Sequence, residues 1–185
     1  MYRPASGPSA IAGETPPREA RMPANYKQLA SGMFYEELEP GTVYKHSITR
    51  TVTEADNLLF STLTYNMAWL HVDDEYCKNH SMFGQRLVNS NFTLSLVAGV
   101  QVHDMTLGTT LANMGYSDVK FPNPVFIGDT IYSETEVLSK RESKSRPNAG
   151  LVEFETRGLN QRDEVVVTLR RTGMMIKKSS FEEES

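Results

Sequence analysis

Residues 89–104 read NSNFTLSLVAGVQVHD, and how this stretch folds decides how the rest of the chain is arranged. Phe92, Leu94, Leu96, Val97, Ala98, Val100 and Val102 leave almost no polar face, and a segment apolar all round belongs inside a core. Its period is ambiguous. Phe92, Leu94, Leu96, Ala98, Val100 and Val102 alternate as a strand would, but the run is long for a strand and opens with Asn89-Ser90-Asn91, residue types that cap helices. We read it as a buried helix.

Upstream, Val43–Val52 follows the turn Glu39-Pro40-Gly41 and places Tyr44, His46, Ile48, Arg50 and Val52 on one side of a strand. Thr53-Glu54-Ala55-Asp56 then opens a short amphipathic helix with Thr53 as N-cap and an acidic residue three later, and Ala55, Leu58, Leu59, Thr62 and Leu63 follow at helical spacing. Periodicity is lost from Thr64 to His71, which we read as an irregular overhang. Asp73 caps a second short helix running through Tyr76, and Gly84 interrupts the chain before the central segment.

Downstream of Gly108 the period becomes two. Ile131, Ser133, Thr135 and Val137 share one strand face; Val152, Phe154 and Thr156 share another; Val165, Val167 and Leu169 share a third. Turn signals fall between them at Asn123-Pro124 with Gly128-Asp129, at Arg146-Pro147-Asn148 with Gly150, and at Gln161-Arg162-Asp163. Helices followed by a run of strands predict an α+β domain on an antiparallel sheet. Residues 1–32, rich in Pro, Ala, Ser and Gly, read as a flexible arm, 33–178 as a single domain, and the Glu-rich 179–185 as a mobile tail.

With 185 residues, 39% hydrophobic content and a net charge of −4, the chain is long enough for one buried core and too acidic for a nucleic-acid partner. No apolar run approaches the roughly 20 residues of a membrane span, so no membrane partner is expected. The single cysteine, Cys77, excludes an intrachain disulfide and a Cys-rich metal site; it reads as a packed thiol in a reducing compartment, hence a cytoplasmic location. The arginines and serines of the arm also fit a mitochondrial presequence, although its glutamates do not. His46, His71, His80 and His103 form no metal-ligand spacing.

The order strand, helix, His-bearing loop and long apolar helix, followed by the words Phe121-Pro-Asn-Pro-Val-Phe-Ile-Gly-Asp-Thr130, resembles the MaoC-like dehydratases, which include the (R)-specific enoyl-CoA hydratases. The resemblance spans about Phe34 to Lys177 and implies the hot-dog fold, an antiparallel sheet wrapped around one long central helix. Thr53–Asn57, Leu87–Ser90 and Arg141–Pro147 are most similar to the itaconyl-CoA or mesaconyl-CoA hydratase branch. The family motif Asp-x-Asn-Pro-x-His falls on Asn66, Ala68, Trp69 and His71, so only the histidine matches. The resemblance therefore implies catalysis by His71, since imidazole both accepts and donates protons near neutral pH, with Asn66 orienting water through its amide.

A carboxylate to replace the missing one is not apparent. Asp56 lies ten residues before Asn66, about 15 Å along a helix axis, and its capping role is favoured over catalysis. Asp73 is closer but also reads as a cap. The resemblance puts the oxyanion donor at the Ser90 backbone N–H, where a helix N-terminus favours negative charge; Asn89 beside it is either a substrate contact or a plain cap. Lys140, Arg141, Lys144 and Arg146 are either a coenzyme A phosphate site or solvated surface. Were the acyl group dicarboxylic, Arg86 or Arg146 would meet its free carboxylate.

The implied activity is reversible hydration of an enoyl-CoA by a homodimer or a multiple of dimers, with no cofactor, because coenzyme A is part of the substrate. The alternatives are a hot-dog protein that binds acyl-CoA or an acyl carrier without turnover, and an acyl-CoA thioesterase. A carboxylate within hydrogen-bond reach of His71 would favour hydration; none would favour binding.

Overall fold

The computed structural model describes residues 31–183, with side chains through Ser180; the expected arm lies outside them except for Ser31 and Gly32. Those two belong to the domain. The Gly32 N–H donates to the Leu107 carbonyl and the Met33 N–H to that of Met105, both at 2.9 Å, so the domain begins before residue 33.

Thr53 caps helix α1 (Glu54–Leu63) in a reciprocal capping box, its hydroxyl accepting from the Asp56 N–H while the Asp56 carboxylate accepts from the Thr53 N–H. Two short helices follow, α2 (Trp69–Val72) and α3 (Asp74–His80), the second capped by Asp73 at the Tyr76 N–H. The central stretch is helix α4 (Ser90–Val100), continued by a single π-helical turn, Val102–Thr106. It is less uniformly buried than its composition suggests. Thr93, Val97 and Val100 are buried, whereas Asn91, Ser95 and Gly99, four residues apart, form an outward stripe.

Strands β1 (Val43–Lys45) and β2 (Arg50–Thr51) replace the single strand expected over 43–52. Both pair antiparallel with β4 (Thr130–Glu142), and the chain leaves β4 between them because the Ser47 N–H turns to the Asp104 carboxylate. His46 fills the gap from within, 2.7 Å from Asp104 and 2.9 Å from the Thr135 hydroxyl. With β3 (Thr110–Lys120), β5 (Ala149–Leu159) and β6 (Val165–Ile176), the sheet runs β1-β4-β5-β6-β3, antiparallel throughout. Strand β3 is the element that pattern reading missed. Its sequence carries Asn113, Gly115, Ser117 and Asp118, it is interrupted by three register shifts, and it lies at an edge, where no alternation is imposed. The last described element is helix α5 (Lys178–Glu183), which takes in part of the stretch expected as the tail; the Lys178 N–H donates to Glu36.

The inner faces of β4 and β5 are as read; on β6 a register shift at its start buries Val166 with Val167 and Leu169 and leaves Val165, expected on that face, half-buried. Ile131, Ser133, Thr135, Val137, Val152, Phe154 and Thr156 are all buried, and Val97 of α4 meets β5 at Gly158, where a Cβ would stand 2.5 Å from a Val97 methyl. Only glycine admits that approach. This is the α+β hot-dog arrangement, an antiparallel sheet holding one helix. Apolar packing continues under both ends of the helix, through Val52, Val88 and Ile131 at its start and Leu38, Met105 and Met175 beyond its end. Burial of each such side chain contributes about 1.5–3 kcal/mol.

The turn before β4 is fixed by one carboxylate. Asp129, 5% exposed, accepts from the Phe126 N–H at 2.9 Å, from Gln161 at 2.7 Å and from Arg162 at 3.1 Å, and Gly128 beside it takes a left-handed φ of 95°. Burial alone would raise the Asp129 carboxyl, but the Phe126, Gln161 and Arg162 donors outweigh it and hold it below the ordinary aspartate value. A depressed folded value stabilises above the unfolded pKa of about 3.9 and is lost as pH falls through the folded one. Asp129→Asn is therefore expected to lower the unfolding free energy at pH 7 by about 1–3 kcal/mol. In urea unfolding at stepped pH, its deficit should shrink on acidification below about pH 4; an unchanged deficit would assign the effect to packing.

Candidate active site

The start of α4 is held by side chains that the alternating patterns do not mark. Asn57 on α1, fully buried, donates from Nδ2 to the His71 carbonyl and accepts the Asn89 N–H at Oδ1, both at 2.9 Å. Asn89 in turn donates to the Ser61 hydroxyl at 3.2 Å and accepts the Asn91 N–H at 3.0 Å. One buried amide thus ties α1, α2 and α4 together.

His71 lies in α2, not in an irregular loop, and is 8% exposed. Its Nδ1 is 2.9 Å from the Leu87 carbonyl, which can only accept, so Nδ1 carries the proton and Nε2 is left as the acceptor. Leu87 is pinned from other directions too. Its N–H donates to the Leu70 carbonyl at 3.0 Å, it bridges to Phe126, and the next residue, Val88, donates to the Val125 carbonyl at 2.9 Å. The Asp129-braced turn is thereby docked onto the segment that bears the histidine contact.

Asn66 follows a reversal at the end of α1. Tyr65, 91% exposed, adopts a left-handed φ of 56°, a strained conformation for a residue with a side chain, and the Asn66 N–H returns to the Ser61 carbonyl at 2.9 Å. The half-buried Asn66 amide makes no hydrogen bond to a described residue. The Ser90 N–H, at the first turn of α4, likewise has no acceptor among the described residues. Such N–H groups at a helix start suit an oxygen that gains negative charge. A cleft of about 300 Å³ opens there, bounded by Leu87, Ser90 and Thr93 on one side and by Phe121, Pro122 and Pro124 on the other. His71 does not itself line the cleft; it is hydrogen-bonded to Leu87, which does.

Other expected site residues are placed elsewhere. Asp56 is the α1 cap and also pairs with Arg50 at 2.6 Å. Burial would raise its carboxyl, but the Thr53 hydrogen bonds and the Arg50 charge hold it low, and it does not reach His71. Asn89 is 1% exposed with its side chain spent on the cap and on Ser61, so it is no substrate contact. Arg86 is occupied by Glu54 at 2.7 Å and Asp74 at 2.8 Å, which clamp the starts of α1 and α3. Lys144 and Arg146 are exposed on the β4–β5 hairpin, the whole of thirteen-residue β4 away from the cleft in the same chain, or roughly 40 Å of strand. Lys140 is committed to Glu39 and to the Tyr35 ring, and Arg141 donates to the Glu142 carbonyl. Cys77 is buried, with its thiol directed at the Trp69 and Leu70 carbonyls, and burial pushes its pKa up, as for a packed thiol. Among the described residues, no carboxylate hydrogen-bonds His71.

The residue that sequence reading overlooked is Asn57; an asparagine in the middle of an amphipathic helix, on its buried side, was the available signal. Asn57→Leu, close in volume, would orphan the His71 carbonyl and the Asn89 N–H at about 1–3 kcal/mol each. The expected result in urea unfolding is a lower midpoint with an unchanged m-value. A loss below about 0.5 kcal/mol would mean that the network does not hold the site.

Residues 36–156 match the model of the MaoC like domain. The chain is 31% identical over 150 residues to a mesaconyl-CoA hydratase of Cereibacter sphaeroides, covering 81% of this chain and 43% of that protein. It is 29% identical over 147 residues to a beta-methylmalyl-CoA dehydratase of Chloroflexus aurantiacus, covering 80% and 41%. The chain thus spans about two fifths of the length of these relatives. The crystal structure of a MaoC-like dehydratase from Rhodospirillum rubrum superposes with a TM-score of 0.70 at 27% identity, over 80% of this chain and 99% of that one. A helix held in an antiparallel sheet, a buried histidine bonded to the strand-like segment before that helix, and a sequence match over most of the ordered domain agree: the chain belongs to the MaoC-like domain family.

Proposed function

We propose that this chain adds water reversibly across the double bond of an enoyl-CoA. The observation that carries the reading is the His71 Nδ1 bond to the Leu87 carbonyl, which leaves Nε2 as the one ring nitrogen able to take a proton. In the proposed reaction, water attacks the β-carbon while its proton passes to Nε2. The electron pair moves onto the thioester oxygen, which the Ser90 N–H and the α4 N-terminus stabilise as an enolate. The imidazolium then returns the proton to the α-carbon, and no cofactor is needed. The Asn66 amide orients the water but removes no proton. The similarity to mesaconyl-CoA hydratase and beta-methylmalyl-CoA dehydratase supports a short branched or dicarboxylic acyl group.

The active unit in this reading is a homodimer. One edge of β3 makes no strand pair among the described residues, and Leu111, Met114, Tyr116 and Phe121 along it are exposed. An unpaired apolar edge is a template for a second copy. Because Phe121 also lines the cleft, pairing there would place the second copy beside the site.

A second reading, an acyl-thioester binding domain without turnover, is favoured by the lack of a carboxylate partner for His71 among the described residues. The experiment that separates the two follows enoyl-thioester absorbance with crotonyl-CoA and mesaconyl-CoA, and product mass with itaconyl-CoA. Turnover upholds the hydratase; saturable binding without turnover upholds the binding domain. His71→Ala is expected to reduce turnover by at least about 100-fold. It should also cost about 1 kcal/mol of stability, because the half-buried Leu87 carbonyl loses its donor. Turnover within tenfold of the parent would remove His71 from the mechanism.

A further inference from the structure

Thr93 of α4 is 2% exposed, yet its hydroxyl makes no hydrogen bond to a described residue. A threonine in a helix ordinarily returns its hydroxyl to the carbonyl about one turn back. Thr62 and Thr64, in and just after α1, do so at the Leu58 and Phe60 carbonyls. The equivalent carbonyl for Thr93 is that of Asn89, which accepts the Thr93 N–H at 3.1 Å but not the hydroxyl. Nor is the hydroxyl sealed in the core: among the described residues, the side-chain polar atoms buried without a partner belong to Gln101, Thr109 and Arg171. It opens into the cleft that Thr93 borders together with Ser90.

The chemistry of that cleft limits what the hydroxyl can meet. Its far wall includes Phe121, Pro122, Pro124 and Val125, and the prolines have no N–H to offer. Asn123 in the same wall donates its amide to the Val165 carbonyl at 2.9 Å. Among the described residues no charged side chain lines the cleft. A carboxylate brought there would lose its water and gain no cation, which is unfavourable. A neutral polar group satisfies the hydroxyl without that cost.

The spacing along the helix says where this group lies. The Ser90 N–H points out beyond the start of α4, and Thr93 stands three residues further in, a rise of about 4.5 Å. Helical side chains lean towards the N-terminus, and a hydrogen bond at Ser90 adds about 3 Å, so an oxygen held there is roughly 6–7 Å from the Thr93 hydroxyl. If that oxygen is the carbonyl of an enoyl thioester, a simple enoyl chain has no polar atom so far away. The thiol side has one. In coenzyme A the first amide of the pantetheine arm lies one ethylene unit beyond the sulfur, with its nitrogen about 5 Å from the thioester oxygen. Its N–H then needs a further hydrogen bond of about 3 Å to reach the hydroxyl.

We propose that the Thr93 hydroxyl accepts the N–H of the first pantetheine amide of a coenzyme A thioester and so seats the arm in the cleft between α4 and residues 121–125. The assignment rests on the hydratase reading for the placement of the thioester oxygen at the Ser90 N–H. Thr93 is a binding residue and touches no reacting atom.

The test uses two crotonyl thioesters in the parent chain, Thr93→Val and Thr93→Ser. The N-acetylcysteamine thioester keeps the amide and little else of the arm, and the butanethiol thioester replaces the amide by methylene groups. Thr93→Val should raise KM for the first by about 3- to 10-fold with kcat altered less than about twofold, and should alter KM for the second by less than about twofold. Thr93→Ser, which keeps the acceptor, should restore most of the loss. An equal loss on both thioesters, or none on either, would overturn the contact. Because the hydroxyl has no partner in the protein, the urea midpoint of Thr93→Val should equal or exceed that of the parent; a lower midpoint would make the hydroxyl structural and refute the proposal. If the parent hydrates neither thioester nor crotonyl-CoA, the hydratase reading fails and calorimetry with crotonyl-CoA tests the contact separately. Binding weaker by at least about threefold in Thr93→Val upholds it; equal affinities, or no binding by the parent, sink it.

Discussion

The cleft depends on the backbone of Leu87–Asn89. Within three residues this segment takes hydrogen bonds from α2, from the turn before β4 and from α1: His71 Nδ1 on the Leu87 carbonyl, the Val125 carbonyl on the Val88 N–H, and Asn57 on the Asn89 N–H. The start of α4 inherits its position from them. A helix N-terminus is useful to a developing oxyanion only if it stays still, and the buried amides of Asn57 and Asn89 supply that rigidity where an apolar contact could slide.

That arrangement distributes polar groups unevenly. Around the helix start almost every buried donor and acceptor is matched, and Arg86, Asp56 and Asp129 are each committed to partners that brace an element end. At the other end of the same helix the matching stops, at Gln101 and Arg171. A core that satisfies one cluster and leaves another open under the same helix does so at a cost in stability, because orphaned buried donors are expensive.

The chain spans about two fifths of the length of these relatives, and the outer edge of β3 has no strand beside it among the described residues. A second sheet set against β3, whether a further copy or another domain, would cover the exposed Met114 and Tyr116 and stand next to the cleft wall at Phe121.

Much of this was legible in residue order. The capping box at Thr53 and Asp56, the Asp73 cap, the helix in 89–104 and the inner faces of β4 and β5 follow from local hydrogen bonding and from the periods 3.6 and 2, which a chain must express in its own sequence to bury one face. His71 was legible through its family word. Strand β3 was not, because an exposed edge demands no alternation; nor was the break between β1 and β2, which depends on Asp104, 57 residues away from Ser47. Which asparagine is a cap and which a clamp, and which arginine is already paired, are relations between distant residues. Asn57 with Asn89, Arg86 with Glu54 and Asp74, and Arg171 with Gln101 meet only once the sheet has closed on the helix. Sequence alone therefore determined the capped helices, the inner strands and the histidine, since those rest on neighbours in the chain. Tertiary structure decided which polar groups remain free for chemistry, since a charge or an amide is free only when no distant partner has reached it.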